Sequence, residues 1–184
     1  MKRNSLFFFL ILAFFPVIFF SSCAKIRDLA AFDVSYNIPR TTFVFTPTKD
    51  KSGEQLIYAG YVSANLDSIL NANGLSGGMV GTTTFTKCSI TIDQPDSVNF
   101  GWLQSLRGEI SQTSEPPSEV FGYITAVDPN AKTVNLTLTN INIRPYLGGT
   151  SFYIRVYGIL NAAVPVEWVQ MYIDGTLQLH LEPL

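Results

Sequence analysis

Hydrophobic and polar residues alternate along most of the chain after residue 30. Successive side chains of a β-strand point to opposite faces, so this period of two predicts strands with one buried and one exposed face. The longest run lies near the C-terminus, and its apolar residues are Val169, Met171, Ile173, Leu177, Leu179 and Leu181. The positions between them are polar, as at Gln170, Asp174 and His180. We expect this run to form a long strand.

Similar patterns predict further strands, separated by turns rich in Pro, Gly, Asn and Asp. They lie at residues 31–37, 41–46, 56–62, 82–93, 106–112, 120–127, 134–138 and 152–157. Pro39 separates the first two, because proline cannot donate a hydrogen bond to a ladder. Up to Leu138 the apolar residues of the segment 134–138 are at even-numbered positions, and after it they are at odd-numbered ones, Ile141 and Ile143. This switch predicts a bulge near Asn140.

One segment, near residues 65–73, has the pattern of a helix instead. Leu66, Ile69 and Leu70 share one face at helical spacing, and Asn65 is a suitable N-terminal cap. Gly74 supplies a left-handed stop. Such a short helix is unstable alone, so we expect it to pack on a sheet.

Together these elements predict an all-β fold in a single domain, residues 31–184. The turns are short and no parallel β-α-β rhythm is present, which favours antiparallel strands. The economical architecture is a two-sheet β-sandwich of about eight or nine strands with one short helix. A closed β-barrel is the alternative.

The first 22 residues have a different pattern. Lys2 and Arg3 precede an apolar run over residues 6–20, which is shorter than the roughly 20 residues that span a bilayer. This arrangement predicts a secretory signal peptide. The run ends in Phe20-Ser21-Ser22-Cys23, which resembles the lipobox of bacterial lipoproteins. The resemblance implies cleavage between Ser22 and Cys23, lipid on the sulfur of Cys23, and a tether at residues 23–30.

The resemblance also implies a location in the cell envelope. Ala24 follows Cys23 in place of the Asp of an inner-membrane retention signal, and no acidic cluster follows. Both features favour the outer membrane, facing the periplasm, with the cell surface as the alternative. Two other interpretations of the N-terminus remain: a plain cleaved signal that leaves Cys23 free, and an uncleaved anchor.

The rest of the chain resembles small uncharacterised lipoproteins of Bacteroidota. The features shared are the helix of residues 66–70, the strand that ends in Asp93-Gln94-Pro95-Asp96, and an aromatic turn with Phe100 and Trp102. This resemblance implies no activity.

Charge and composition exclude several classes of function. Without Lys2 and Arg3, 10 basic residues stand against 14 acidic ones, a formal charge of −4, which argues against binding to nucleic acid. His180 is the only histidine, and Cys88 is the only cysteine besides Cys23. They are too few for a zinc site, so we expect no metal and no cofactor. Cys88 lies in a strand, and we expect it to be buried.

Catalytic machinery is likewise not evident. His180 shares a strand face with Asp174, but no Gly-x-Ser-x-Gly elbow accompanies them. Glu109 is close in sequence to Arg107, and a cross-strand ion pair with Arg107 or Arg155 explains it more simply than acid catalysis. We therefore expect a protein that is not an enzyme.

Aromatic side chains are the best candidates for contacts with a ligand or partner. The candidates are Trp102, Tyr153, Tyr157, Trp168 and Tyr172. If their strands are neighbours, Tyr153, Tyr157 and Tyr172 form one exposed stripe; otherwise such rings belong to the core. Our preferred hypothesis is a non-catalytic, lipid-anchored envelope protein that binds another envelope protein or has a structural role. The alternatives are a carrier of a lipid or other apolar ligand, and a glycan-binding lipoprotein.

Overall fold

The alternating segments form strands in the computed structural model, which describes residues 31–47, 53–72, 74–75, 77–147 and 150–182. The strands are β1 (Phe32–Phe45), β2 (Glu54–Ser63), β3 (Val80–Gln94), β4 (Leu103–Ser111), β5 (Ser118–Ile124), β6 (Thr133–Asn135), β7 (Thr137–Leu138), β8 (Ser151–Leu160) and β9 (Val169–Leu181). One α-helix, α1 (Leu66–Ala72), lies between β2 and β3. Short 3₁₀ turns occupy Gly77–Met79, Phe100–Trp102 and Arg144–Tyr146.

The strands pair into two antiparallel sheets. The four-stranded sheet has the order β1-β9-β3-β6, and the five-stranded sheet has the order β2-β8-β4-β5-β7. Neither sheet closes on itself within the described residues, so the structure confirms the sandwich and not the barrel.

The core lies between the sheets, and the side chains that fill it are at the alternate positions that the sequence predicts. In β8 and β9 every second residue is buried, and the apolar residues of the C-terminal run all point inward. The centre holds three packed rings: Phe85 stacks on Phe121 at 4.7 Å between centroids and meets Phe152 edge-on at 6.1 Å. Cys88 is buried, as predicted.

Pro39 does not end a strand, contrary to the prediction of two strands there. β1 continues from Phe32 to Phe45, with a shift in register between Ile38 and Thr41. The irregularity accommodates the proline, and β1 is an edge strand, where a missing N–H donor leaves no neighbouring strand unpaired.

The segment predicted as one strand at residues 134–138 is divided between the two sheets. β6 pairs with β3 of one sheet, and β7 pairs with β5 of the other. The backbone N–H of Leu136, between them, donates to the carbonyl oxygen of Cys88 at 2.9 Å, and its side chain is buried. Asn140, where we predicted a bulge, adopts a left-handed conformation with φ of 57°.

The predicted helix is present and packs as expected. Leu66 and Leu70 of α1 are buried, which anchors the helix to the sandwich. Gly74 is left-handed, with φ of 70°, and its N–H donates to the carbonyl oxygen of Asn71. Asn65 departs from the usual N-cap conformation, since its φ is 34°. Within the described part of the chain, no helix has the length and apolar character needed to cross a bilayer.

Candidate interaction surface

Trp102 belongs to the core and not to a surface. Only 2% of its area is exposed, and its ring packs at 5.7 Å from Phe45 and 5.8 Å from Phe100. The side chain of Asn99 caps the 3₁₀ turn Phe100–Trp102, and both aromatic residues of that turn are buried. A ring enclosed in this way is not available to a partner, which corrects the prediction for this residue.

The other predicted aromatic residues do not form one stripe. Tyr153 and Tyr157 lie on the outer face of β8, in the five-stranded sheet. Tyr172 lies on β9, in the opposite sheet, so the two sets face away from each other. Trp168 directly precedes β9 and is 44% exposed. β8 and β9 are adjacent in sequence, but the chain changes sheets between them.

Tyr153 and Tyr157 nevertheless have aromatic neighbours that the sequence did not reveal. Directly opposed residues of antiparallel strands share a face. Tyr61 of β2 is opposite Tyr153, and Leu56 of β2 is opposite Tyr157. On the other side of β8, Arg107 of β4 is opposite both Tyr157 and Tyr123 of β5. We call this outer surface of the five-stranded sheet the tyrosine face; its residues are Leu56, Tyr61, Arg107, Tyr123, Tyr153, Arg155, Tyr157 and Ile159.

The guanidinium groups of two arginines pack on tyrosine rings of this face. The Cζ atom of Arg107 lies 4.7 Å from the ring centroid of Tyr157, and that of Arg155 lies 5.1 Å from the ring centroid of Tyr153. Arg107 also forms ion pairs with Glu54, at 2.7 Å, and with Glu109. Arg107 is one of the two partners expected for Glu109, but both residues lie on β4, so the ion pair is within one strand and not between strands. These contacts limit the rotamers of the rings before any partner arrives.

The hydrogen bond to Glu54 raises the pKa of the Arg107 guanidinium above its usual value, and the charge of Glu109 adds to this effect. Arg107 therefore remains a cation at every physiological pH. Its attraction for the face of Tyr157 is likewise independent of pH in that range.

Four of the seven large exposed apolar side chains in the described residues lie on the tyrosine face, and the other three are Phe32, Val44 and Trp168. The four, each with more than a third of its area exposed, are Leu56 (51%), Tyr61 (56%), Tyr123 (42%) and Ile159 (39%). A single exposed apolar residue is ordinary, but a group of them on one face indicates an interaction site. Tyrosine and arginine are also the residues that contribute most often to the binding energy of protein interfaces.

The outer face of the four-stranded sheet is different in character. Its polar side chains bond to one another: the carboxylate of Asp33 is 2.8 Å from both His180 and Gln178. Asp174, which shares a strand face with His180, instead accepts two hydrogen bonds from Arg40. The guanidinium of Arg40 also lies 3.7 Å from the ring centroid of Tyr172, so it covers that ring. Val44 of β1, at 58% exposure, is a large apolar side chain on this face, and the residues around it are mainly polar.

The described residues contain no cluster of three or more His, Cys, Asp or Glu that could hold a metal ion. Burial raises the pKa of the Cys88 thiol to about 12, so this thiol is neutral and unreactive at physiological pH. The predicted cleavage and lipidation residues, Ser22 and Cys23, and the tether at residues 23–30 lie outside the described residues.

Comparison with known proteins finds no matching family model and no matching curated protein. Among solved structures, the chain is similar to a chain of Desmodium yellow mottle tymovirus, at 16% identity over 84% of this chain and 90% of that one, with a TM-score of 0.32. It is also similar to a chain of Turnip Yellow Mosaic Virus, at 14% identity over 82% of this chain and 96% of that one, with a TM-score of 0.25. At these scores the likeness carries no information on function.

Proposed function

We propose that the chain is a non-catalytic binding protein of the cell envelope, anchored by lipid on Cys23, which holds a partner protein against its tyrosine face. The observation that carries this proposal is the grouping of exposed apolar and tyrosine side chains on the face, with Arg107 and Arg155 packed on two of the rings. Ordered side chains lose less conformational entropy when they bind, so such a face favours a specific partner.

The N-terminal pattern supports the envelope part of the proposal. Cleavage before Cys23 would leave seven residues, 24–30, between the lipidated Cys23 and the sandwich. An extended chain of this length spans at most about 25 Å, so the domain would stay close to the bilayer. We favour the outer membrane facing the periplasm, with the cell surface as the alternative.

The alternatives of a carrier and of a glycan-binding protein have less support. A carrier would need space between the sheets, whereas the centre of the sandwich is occupied by the stacked rings of Phe85, Phe121 and Phe152. A glycan-binding protein would present bare aromatic faces to sugar rings. Here guanidinium groups pack on the rings of Tyr153, Tyr157 and Tyr172.

Site-specific photo-crosslinking in living cells tests the proposal. Benzoylphenylalanine would replace Tyr61, on the tyrosine face, or Val44, on the four-stranded sheet; these residues are 56% and 58% exposed. We expect a discrete adduct of higher mass from position 61 and none from position 44. Equal adducts from both positions, or none from position 61, would contradict the proposal.

A further inference from the structure

A groove lies beside helix α1, the start of β3 and the segment that joins β4 to β5. It consists of two adjoining clefts, of about 340 Å³ and about 450 Å³, and Pro145 lines both. Volumes of this size are typical of ligand sites in proteins. The groove is separate from the tyrosine face and has no part in the function proposed above.

The first cleft has an aliphatic floor. Leu66 and Leu70 of α1 and Val80, the first residue of β3, are buried at its base, and Leu147 adds a partly exposed wall. The helix was expected to pack on a sheet, and by packing on the sandwich it forms one side of the cleft. A surface of this chemistry fits an aliphatic side chain.

The second cleft is lined by prolines and an aromatic ring. Pro116, Pro117 and Tyr146 line it, and Pro145 lines both this cleft and the first. The hydroxyl of Tyr146 donates to the carboxylate of Glu119 at 2.9 Å, which orients the ring. Aromatic residues typically line the grooves that bind extended, proline-containing peptides.

Carboxylates predominate around the groove. Asp67 lines the first cleft, Glu115 lines the second, and Glu119 contacts the second through Tyr146. Arg144 is the basic residue that lines the first cleft. The charges of Asp67 and Arg144 balance in the first cleft, whereas the described residues that line the second include Glu115 and no basic residue, so charge complementarity favours a cationic group at the second cleft.

We propose that this groove binds an extended, basic segment of a partner protein. An aliphatic side chain of the segment enters the first cleft, and a lysine or arginine lies beside Tyr146 and the carboxylates of Glu115 and Glu119. The aromatic ring and the acidic groups both attract a cation. The aliphatic floor supplies the apolar part of the binding energy.

Fluorescence polarisation with the full-length protein in phosphatidylcholine nanodiscs tests this inference. The probe is the labelled peptide Lys-Leu-Pro-Leu-Lys-Gly, and its matched control has Glu in place of both Lys. We expect the basic peptide to bind at least about tenfold more tightly than the acidic one. Equal binding of the two peptides, tighter binding of the acidic one, or no binding of the basic peptide at about 1 mM would overturn the proposal.

Two charge-matched variants locate the site. Asp67→Lys combined with Glu115→Lys should weaken binding of the basic peptide by about tenfold or more. Asp96→Lys combined with Glu167→Lys makes the same change of charge at exposed positions outside the groove, and should leave binding unchanged. Equal losses in the two variants would show that the peptide responds only to net charge, and would overturn the site. Neither variant alters the tyrosine face, so the crosslink from position 61 serves as an independent readout of the proposed function.

Discussion

Tyr61 and Tyr153 are directly opposed on neighbouring strands and pack edge to face, with ring centroids 5.0 Å apart and planes at 81°. Tyr61 is on the edge strand of the sheet and is more than half exposed, so its ring extends the surface of Tyr153 outward. This geometry is the one that the quadrupoles of aromatic rings favour. The pair therefore presents an ordered aromatic surface to solvent.

Tyr61→Ala should affect binding more than stability. An exposed cross-strand pair contributes roughly 0.2–1 kcal/mol, so the free energy of unfolding should fall by no more than that. The crosslinked adduct formed from benzoylphenylalanine at position 123 should be lost, because the partner loses an aromatic contact on the same face. Val44→Ala, on the opposite sheet, is the control and should retain the adduct. Retention of the adduct in Tyr61→Ala would argue against the tyrosine face.

Gly108→Ala should destabilise the fold. A Cβ atom at position 108 would lie 2.6 Å from Cζ of Phe121, and that ring is itself stacked on Phe85. Because the ring is rigid and packed, it cannot move aside cheaply. We expect a loss of about 1–3 kcal/mol in the free energy of unfolding, measured by chemical denaturation.

A double-mutant cycle tests the cause of that loss. Phe121→Leu removes the ring that the new methyl group meets, at its own cost in stability. If the clash is the cause, the double variant Gly108→Ala with Phe121→Leu should be more stable than the sum of the single effects predicts. Strict additivity would mean that the cost arises elsewhere.

The stability of the protein should depend on Cys88 at high pH. Burial raises the pKa of this thiol from 9.0 to about 12, and the charge of Asp174 adds to the shift. Below pH 9 the thiol is protonated in both the folded and the unfolded state, so the fold keeps the full stabilising contribution of this thiol. Above that pH the unfolded thiol ionises first, so this contribution is lost as the pH rises toward about 12.

Comparison of the natural chain with Cys88→Ala isolates this effect from other titrating groups. Between pH 9 and pH 11 the unfolding free energy of the natural chain should fall more steeply than that of the variant, by up to about 1.4 kcal/mol per pH unit. Parallel pH profiles would show that the thiol is not desolvated.

Cys23→Ala should release the protein from the membrane or leave it as an uncut precursor. Two or more acyl chains at Cys23 would anchor it stably, since each buried methylene contributes about 0.8 kcal/mol. Cell fractionation and intact mass measure the outcome. Ser22→Ala conserves a small residue at the cleavage position and is the control, expected to remain lipidated. An unmodified Cys23 in the natural product would contradict the lipoprotein prediction.

Much of the fold was predictable because it depends on local pattern. The inward residues of β9, from Val169 to Leu181, follow a period of two, and the spacing of Leu66 and Leu70 specifies a helix. These signals arise from one strand or one turn at a time, so no knowledge of neighbours is required. The lack of parallel connections favoured antiparallel strands, and the two open sheets of the structure decided for a sandwich over a barrel.

The candidate surfaces depend instead on which strands become neighbours. The pattern in residues 56–62 predicts a strand but not that Tyr61 will be opposite Tyr153. Nor does it predict that Tyr123 will share their face, because register is specified only when the sheet assembles. The burial of Trp102 in the core could not be predicted either, because aromatic residues are common both in cores and at interfaces.

Alternation along the chain thus specifies strands, buried faces and a short helix, because each depends on side chains a few residues apart. Assembly alone assigns β8 and β9 to opposite sheets, divides residues 133–138 between those sheets, and brings α1 to the groove at Pro145. These outcomes depend on contacts between residues far apart in sequence, whose burial is shared by the whole sandwich.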